Sequence, residues 1–133
     1  MLKKIILILF VLFSLLIVVI NFSEVTTSYS CNGEMKGKDD NTEKMKLFMR
    51  LNDYRWWVHL WSKSDGNLHV EIPNYGFGVS EYYGNVEKLS ERYIFSDLNN
   101  KPVGYFSLLS KTLLIFINKE SFKGECELIK LDH

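Results

Sequence analysis

The chain has 133 residues and a balanced charge, with 16 Lys plus Arg against 16 Asp plus Glu. This length accommodates one domain of ordinary size and excludes two. The balanced charge argues against a nucleic-acid binder, which needs a basic stripe to neutralise phosphates. A hydrophobic content of 47%, with 14% aromatic residues, excludes intrinsic disorder.

Residues 1–22 form an apolar N-terminal segment. Lys3 and Lys4 precede a run from Ile5 to Phe22 that would extend about 27 Å as a helix, close to the thickness of a hydrocarbon core. Small residues with the spacing that signal peptidase requires do not follow the run closely. The segment is therefore predicted to be an uncleaved anchor, with a cleaved signal peptide as the alternative. The two lysines predict that the N-terminus stays in the cytoplasm.

The rest of the chain is predicted to be exported. A short polar tether is expected at 23–28 and a β-domain at 29–133. The two cysteines, Cys31 and Cys126, agree with export because paired cysteines in an oxidising compartment form a disulfide. Such a bond requires the first and last elements of the domain to be neighbours.

Two-residue alternation recurs between short turn signals after Ser28, while helical periodicity is not sustained. The pattern predicts an all-β domain, a small antiparallel barrel or a two-sheet sandwich of about eight strands, preceded by one transmembrane or signal helix. The candidate strands are Tyr29–Glu34, Lys46–Asn52, Tyr54–Lys63, Asn67–Pro73, Gly76–Tyr83, Lys88–Ser96, Val103–Leu109, Thr112–Asn118 and Phe122–Leu131.

One hairpin has a predicted register. The strands Tyr54–Lys63 and Asn67–Pro73 align their apolar faces when the loop 64–66 joins them. Their other face would then carry six candidate binding residues: Arg55, Trp57, His59, Trp61, His69 and Glu71. Two tryptophans on a nominally solvent face suggest a recognition surface, and packing beneath another strand is the alternative.

Two further groups of residues are weaker candidates. His59, His69 and Glu71 have side chains that bind metals, but without a known ligand spacing they are better interpreted as a hydrogen-bonded surface cluster. Tyr75 and Phe77, beside two glycines, suggest the lining of a groove or the rim of a barrel mouth. No metal or cofactor is predicted.

Catalytic motifs are missing from the sequence. It has no G-x-S-x-G elbow, H-E-x-x-H motif or P-loop, and Gly76-Phe77-Gly78 lacks the third glycine of a dinucleotide loop. We therefore expect a non-catalytic protein.

The β-domain opens with Tyr29-x-Cys31-x-Gly33 after the apolar segment and has its second cysteine at Cys126. This layout is similar to small membrane-anchored proteins of enteric bacteria of the FidL-like type. It is also similar to C-type lysozyme inhibitors of the bacterial envelope, which are small barrels with a comparable opening and a disulfide. The second resemblance covers the ends of the chain, and no stretch matches the inhibitory loop of that family. Neither resemblance assigns a functional residue here.

Together these features predict an accessory or binding protein of the bacterial envelope. It would be held in the inner membrane by residues 5–22, with its domain in the periplasm and an envelope protein or other envelope component as partner. A periplasmic enzyme inhibitor or immunity protein, secreted or periplasmic after cleavage, is one alternative. The other is a small-ligand carrier whose barrel cavity is lined by Tyr75, Phe77, Tyr93 and Phe95.

Overall fold

A computed structural model describes residues 1–73 and 75–129. The chain begins with one helix, α1 (Leu2–Asn21), which has a mean hydropathy of 2.9 and no buried residues. At 1.5 Å per residue it extends about 30 Å, enough to cross a hydrocarbon core. A signal sequence shares these properties, so α1 fits either an anchor or a signal.

Eight antiparallel strands follow and form a closed barrel in which each strand pairs with its sequence neighbours and β8 returns to β1. The prediction of a small antiparallel β-domain is confirmed, and the barrel rather than the sandwich is its architecture. The strands are β1 (Glu24–Lys36), β2 (Thr42–Tyr54), β3 (Gly66–Ile72), β4 (Val79–Leu89), β5 (Arg92–Ser96), β6 (Pro102–Ser107), β7 (Thr112–Ile117) and β8 (Glu120–Leu128).

The seam between β1 and β8 closes the barrel. Cys31 lies opposite Cys126 in its register and the two form a disulfide, as the sequence predicts. Two residues further along, Gly33 faces Gly124. A Cβ on Gly33 would lie only 2.1 Å from the carbonyl oxygen of Lys123, so the close approach of the two strands requires a glycine at this position.

Apolar side chains fill the barrel interior as one continuous core. The alternation in β2 shows how the sequence builds it: Met45, Leu47, Met49 and Leu51 are buried, whereas Lys46 and Arg50 are exposed. The largest fully buried side chains are Phe95, Phe106, Phe122, Leu47, Met49, Leu51, Leu68, Ile72, Leu113, Ile115, Ile117 and Val70.

The predicted strand Tyr54–Lys63 is wrong. β2 continues to Tyr54 and pairs with β3, placing Leu51 opposite Leu68. Because β4 occupies the other side of β3, no edge of β3 remains for a further strand. The chain instead forms a 3-10 helix at Trp56–Leu60, and Gly66 is the first residue of β3 rather than part of the predicted loop.

Other boundaries also differ from the prediction. The predicted strand Lys88–Ser96 is divided by a turn in which Ser90 has a φ of 50°. Gly76 and Gly78 have positive φ and precede β4 instead of lying within it. The predicted tether at 23–28 overlaps β1, which begins at Glu24. Residues 130 and 131 of the predicted last strand lie outside the described residues.

Candidate functional site

The barrel has two ends, which different connections cover. The helix-side end carries α1 and the connections 55–65, 90–91 and 108–111. The far end carries the connections 37–41, 73–78, 97–101 and 118–119. The predicted site residues are divided between these ends and the outer face of β3.

Helix α1 is joined closely to the helix-side end. Only Phe22 and Ser23 separate α1 from β1. The backbone N–H of Arg55 donates a hydrogen bond to the carbonyl oxygen of Ser23, with an N···O distance of 2.8 Å. The connection 55–65 is therefore bound directly to the point where the helix becomes a strand.

This connection exposes large apolar side chains. Trp56 is 79% exposed, Leu60 78% and Trp61 66%, while Val58 between them is buried. Trp57 and Trp61 pack edge to face with ring centroids 6.0 Å apart. A groove of about 460 Å³ separates the connection from α1; its lining residues include Val19, Ile20, Glu24, Tyr54, Trp57 and Trp61.

A polar network lies on the barrel wall next to this groove. The side-chain amide of Asn67 accepts a hydrogen bond from Asn52 Nδ2 at 2.7 Å. It donates to Glu24 Oε2 at 3.2 Å and to the Tyr54 hydroxyl at 3.1 Å. Asn67 is 7% exposed and Asn52 is 9% exposed, so one buried amide joins the start of β1 to the end of β2.

A second polar contact lies inside the helix-side end. The hydroxyl of Tyr93 donates to the carboxylate of Asp53, with distances of 2.7 and 2.9 Å to its two oxygens. Lys88 Nζ lies 3.7 Å from the same carboxylate. Burial and the hydrogen bond to Asp53 raise the pKa of Tyr93 well above that of an ordinary tyrosine. The contact ties β2, β4 and β5 together where the apolar core ends.

The structure does not bring the six residues of the predicted hairpin face together. Arg55, Trp57, His59 and Trp61 belong to the helix-side connection, whereas His69 and Glu71 lie on the wall in β3. The predicted opposition of these residues across two strands is wrong, because β3 pairs with β2 and β4.

The histidines lie in separate polar contacts. His59 Nε2 is 3.5 Å from Asp65 Oδ1, and His69 Nδ1 is 3.5 Å from Glu71 Oε1. His69 also forms a 2.7 Å hydrogen bond with the Ser80 hydroxyl. Across residues 1–73 and 75–129, no three His, Cys, Asp or Glu side chains converge as metal ligands would.

The far end contains Tyr75 and Phe77 in different environments. Tyr75 packs against the core and donates a hydrogen bond from its hydroxyl to Glu120, so it lies at the rim. Phe77 lies between two glycines of positive φ and is fully exposed. Leu98, in the turn between β5 and β6, is fully exposed as well.

The first half of β4 has a strand neighbour on one side only. Val79 to Tyr83 pair with β3, whereas the pairing with β5 begins at Asn85. Within the described residues, no strand covers the other side of 79–84, although closed barrels generally leave no strand edge open. We call residues 79–84 the open edge.

A groove of about 370 Å³ follows the open edge, and its lining includes Tyr82, Tyr83, Asp97 and Leu98. Tyr82 is 63% exposed. Burial, and secondarily the nearby Glu81, raise the pKa of Tyr83 to about 12. Exposed apolar groups and an open strand edge therefore lie together at the far end.

Sequence reasoning missed the open edge and Leu98. Strand lengths contain the signal for the edge: β4 has 11 residues and β5 has 5, so β5 cannot cover the whole of β4. Leu98 was recognisable as a large apolar residue within the polar turn 97–101.

No protein-family model, curated protein or solved structure matches this chain.

Proposed function

We propose that the protein is a non-catalytic binding module of the bacterial envelope, anchored by α1 with its N-terminus in the cytoplasm and its barrel in the periplasm. At its far end it binds an extended segment of a partner protein. The open edge of β4 is the observation that carries this proposal.

The anchored topology has three supports. Helix α1 is long and apolar enough to cross a membrane, and Lys3 and Lys4 precede its apolar run. The disulfide between Cys31 and Cys126 fits an oxidising compartment. Since β1 begins three residues after α1 ends, the barrel would sit directly on the outer surface of the membrane.

Binding of an extended segment follows from strand chemistry. An open strand edge presents backbone N–H and C=O groups to which another chain can add a strand. Tyr82 and Leu98 line the adjoining groove and can receive apolar side chains from that strand. Phe77 and Leu98, both fully exposed, extend the apolar contact beyond the edge.

A soluble enzyme inhibitor is the second candidate, and the exposure of Phe77 favours it. An inhibitor needs a protruding side chain that enters a cleft, and Phe77 protrudes from the connection 73–78. The carrier alternative has less support. It needs a cavity around Tyr93 and Phe95, but both side chains are buried in a continuous core and Phe77 points to solvent.

Site-specific photo-crosslinking tests the proposal. A photoreactive phenylalanine would replace Phe77, Tyr82 or Leu98 in the full-length protein in its native membranes. We expect these three positions to form the same discrete adduct. Replacement of Tyr105, a partly exposed aromatic residue in β6, provides the control on the barrel wall.

The adduct and the mass of the bait distinguish the candidates. A partner crosslinked from the far end but not from position 105, with an intact bait N-terminus, supports the anchored module. An envelope enzyme crosslinked only through position 77 to a bait lacking residues 1–22 would support the inhibitor. No adduct from positions 77, 82 and 98, or equal labelling from position 105, would contradict binding at the far end.

A further inference from the structure

All three tryptophans of the chain lie in one short segment, 56–61, at the helix-side end. Trp56 and Trp61 are mostly exposed, and Leu60 between them is exposed to a similar degree. Large apolar side chains with this exposure mark an interaction surface when they lie together. We call the residues 55–61 the tryptophan loop.

The position of the tryptophan loop relative to α1 limits what can cover it. The hydrogen bond from Arg55 to the carbonyl oxygen of Ser23 holds the loop two residues beyond the last residue of α1. A helix of 20 residues ends where the hydrocarbon core ends, so the loop begins at the level of the lipid headgroups. The groove between α1 and the loop continues this apolar surface onto Val19 and Ile20.

The chemistry of the loop fits the same location. Tryptophan is enriched where a membrane meets water, because its ring is apolar and its indole N–H is polar. Arg55, exposed at the start of the loop, has a guanidinium that can bind lipid phosphates. Two exposed leucines also lie at this end, Leu89 as the last residue of β4 and Leu109 in the connection 108–111.

We infer that the tryptophan loop lies in the headgroup layer of the membrane that α1 spans. The barrel then contacts the bilayer through the loop as well as through α1. The occupant of this surface is lipid. The inference rests on the anchor in the proposed function, but it is independent of binding at the far end. A barrel held by both a helix and a loop presents its far end away from the membrane in a fixed orientation.

Intrinsic fluorescence tests the inference directly, because every tryptophan is in the loop. The full-length, disulfide-bonded protein would be reconstituted into phosphatidylcholine vesicles, either plain or with brominated acyl chains. We expect a clear loss of tryptophan emission in the brominated vesicles. We also expect the emission maximum to lie at shorter wavelength than in the unfolded chain.

A matched variant places the probe at the other end. Trp56→Phe, Trp57→Phe and Trp61→Phe combined with Phe77→Trp leaves one tryptophan at the far end, and its emission should not respond to bromine. If this variant does not fold, Phe77→Trp in the unaltered chain should add emission that bromine does not quench.

Flotation with the vesicles tests the membrane anchor and the position of the tryptophan loop separately. If the chain floats but its tryptophans are not quenched, the loop does not lie in the headgroup layer, although α1 still anchors the protein. Equal quenching of a probe at position 77 would also contradict the position of the loop. If a chain with intact residues 1–22 does not float with the vesicles, both the anchor and the position of the loop are contradicted.

Discussion

The two ends of the barrel close in different ways and expose different chemistry. At the helix-side end, a long connection crosses beside the barrel, and the buried amide of Asn67 and the Asp53–Tyr93 pair hold the strands beneath it. At the far end, shorter connections join the strands, and the first half of β4 has no strand on its β5 side. The helix-side end therefore joins several strands through buried side chains, whereas the far end exposes unpaired backbone groups of β4.

This difference suggests separate roles for the two ends of one barrel: stability at the helix-side end and binding at the far end. At the helix-side end the buried side chains of Asn67 and Tyr93 are hydrogen-bonded, so changes to them should alter stability. The far end has two fully exposed apolar side chains, Phe77 and Leu98, so changes to them should alter binding and leave stability nearly unchanged. The following predictions test this separation.

Loss of the disulfide should have the largest effect and should weaken both ends together. Cys31 and Cys126 are buried in the seam and separated by 95 residues in sequence. Replacement of both by serine should lower the free energy of unfolding by about 2–5 kcal/mol, because the unfolded chain gains freedom. Urea unfolding with and without reductant measures the loss, and a change well below 1 kcal/mol would contradict a stabilising seam.

Removal of the buried amide should have the next largest effect. Asn67→Ala leaves Asn52, Glu24 and Tyr54 without their shared partner and should cost about 1–3 kcal/mol in urea unfolding. Asn85→Ala is the matched control, since Asn85 bonds Asn100 at the exposed far end. If both variants lose the same free energy, the two ends do not differ as described.

Alkaline pH should weaken the part of the wall beside the open edge. The pKa of Tyr83 is about 12 in the folded protein, against 10.0 for a free tyrosine. Its contribution to stability is therefore complete below pH 10 and is lost as the pH rises from 10 towards 12. Tyr83→Phe should flatten the fall in unfolding free energy over this interval, and a profile parallel to the unaltered protein would refute the assignment.

Substitution of the exposed apolar residues at the far end should have the smallest effect on stability. Phe77→Ser with Leu98→Ser should change the free energy of unfolding by no more than about 0.5 kcal/mol, because both side chains are solvent-exposed. The adduct formed through position 82 should nevertheless disappear. A stable double variant that retains the adduct would remove Phe77 and Leu98 from the binding surface.

Much of the fold could be predicted because its signals are local. Alternation in the sequence predicted most of the strands, and the turns near 97–101 and 118–119 carry residues suited to tight turns. The candidate site was harder to predict. The alternation of Trp57, His59 and Trp61 fits a strand equally well, and only the pairing of β2 with β3 excludes that strand.

The sequence by itself determined the apolar helix, the all-β class and the disulfide, because hydrophobic length, two-residue periodicity and cysteine number are properties of short segments or of composition. The tertiary structure decided which strands are neighbours, and so where β4 lacks a partner and where the tryptophans lie. Those features depend on strand lengths and register around the whole barrel. A segment cannot specify them alone, because whether a stretch of strand is paired on both sides depends on the lengths and register of its neighbours.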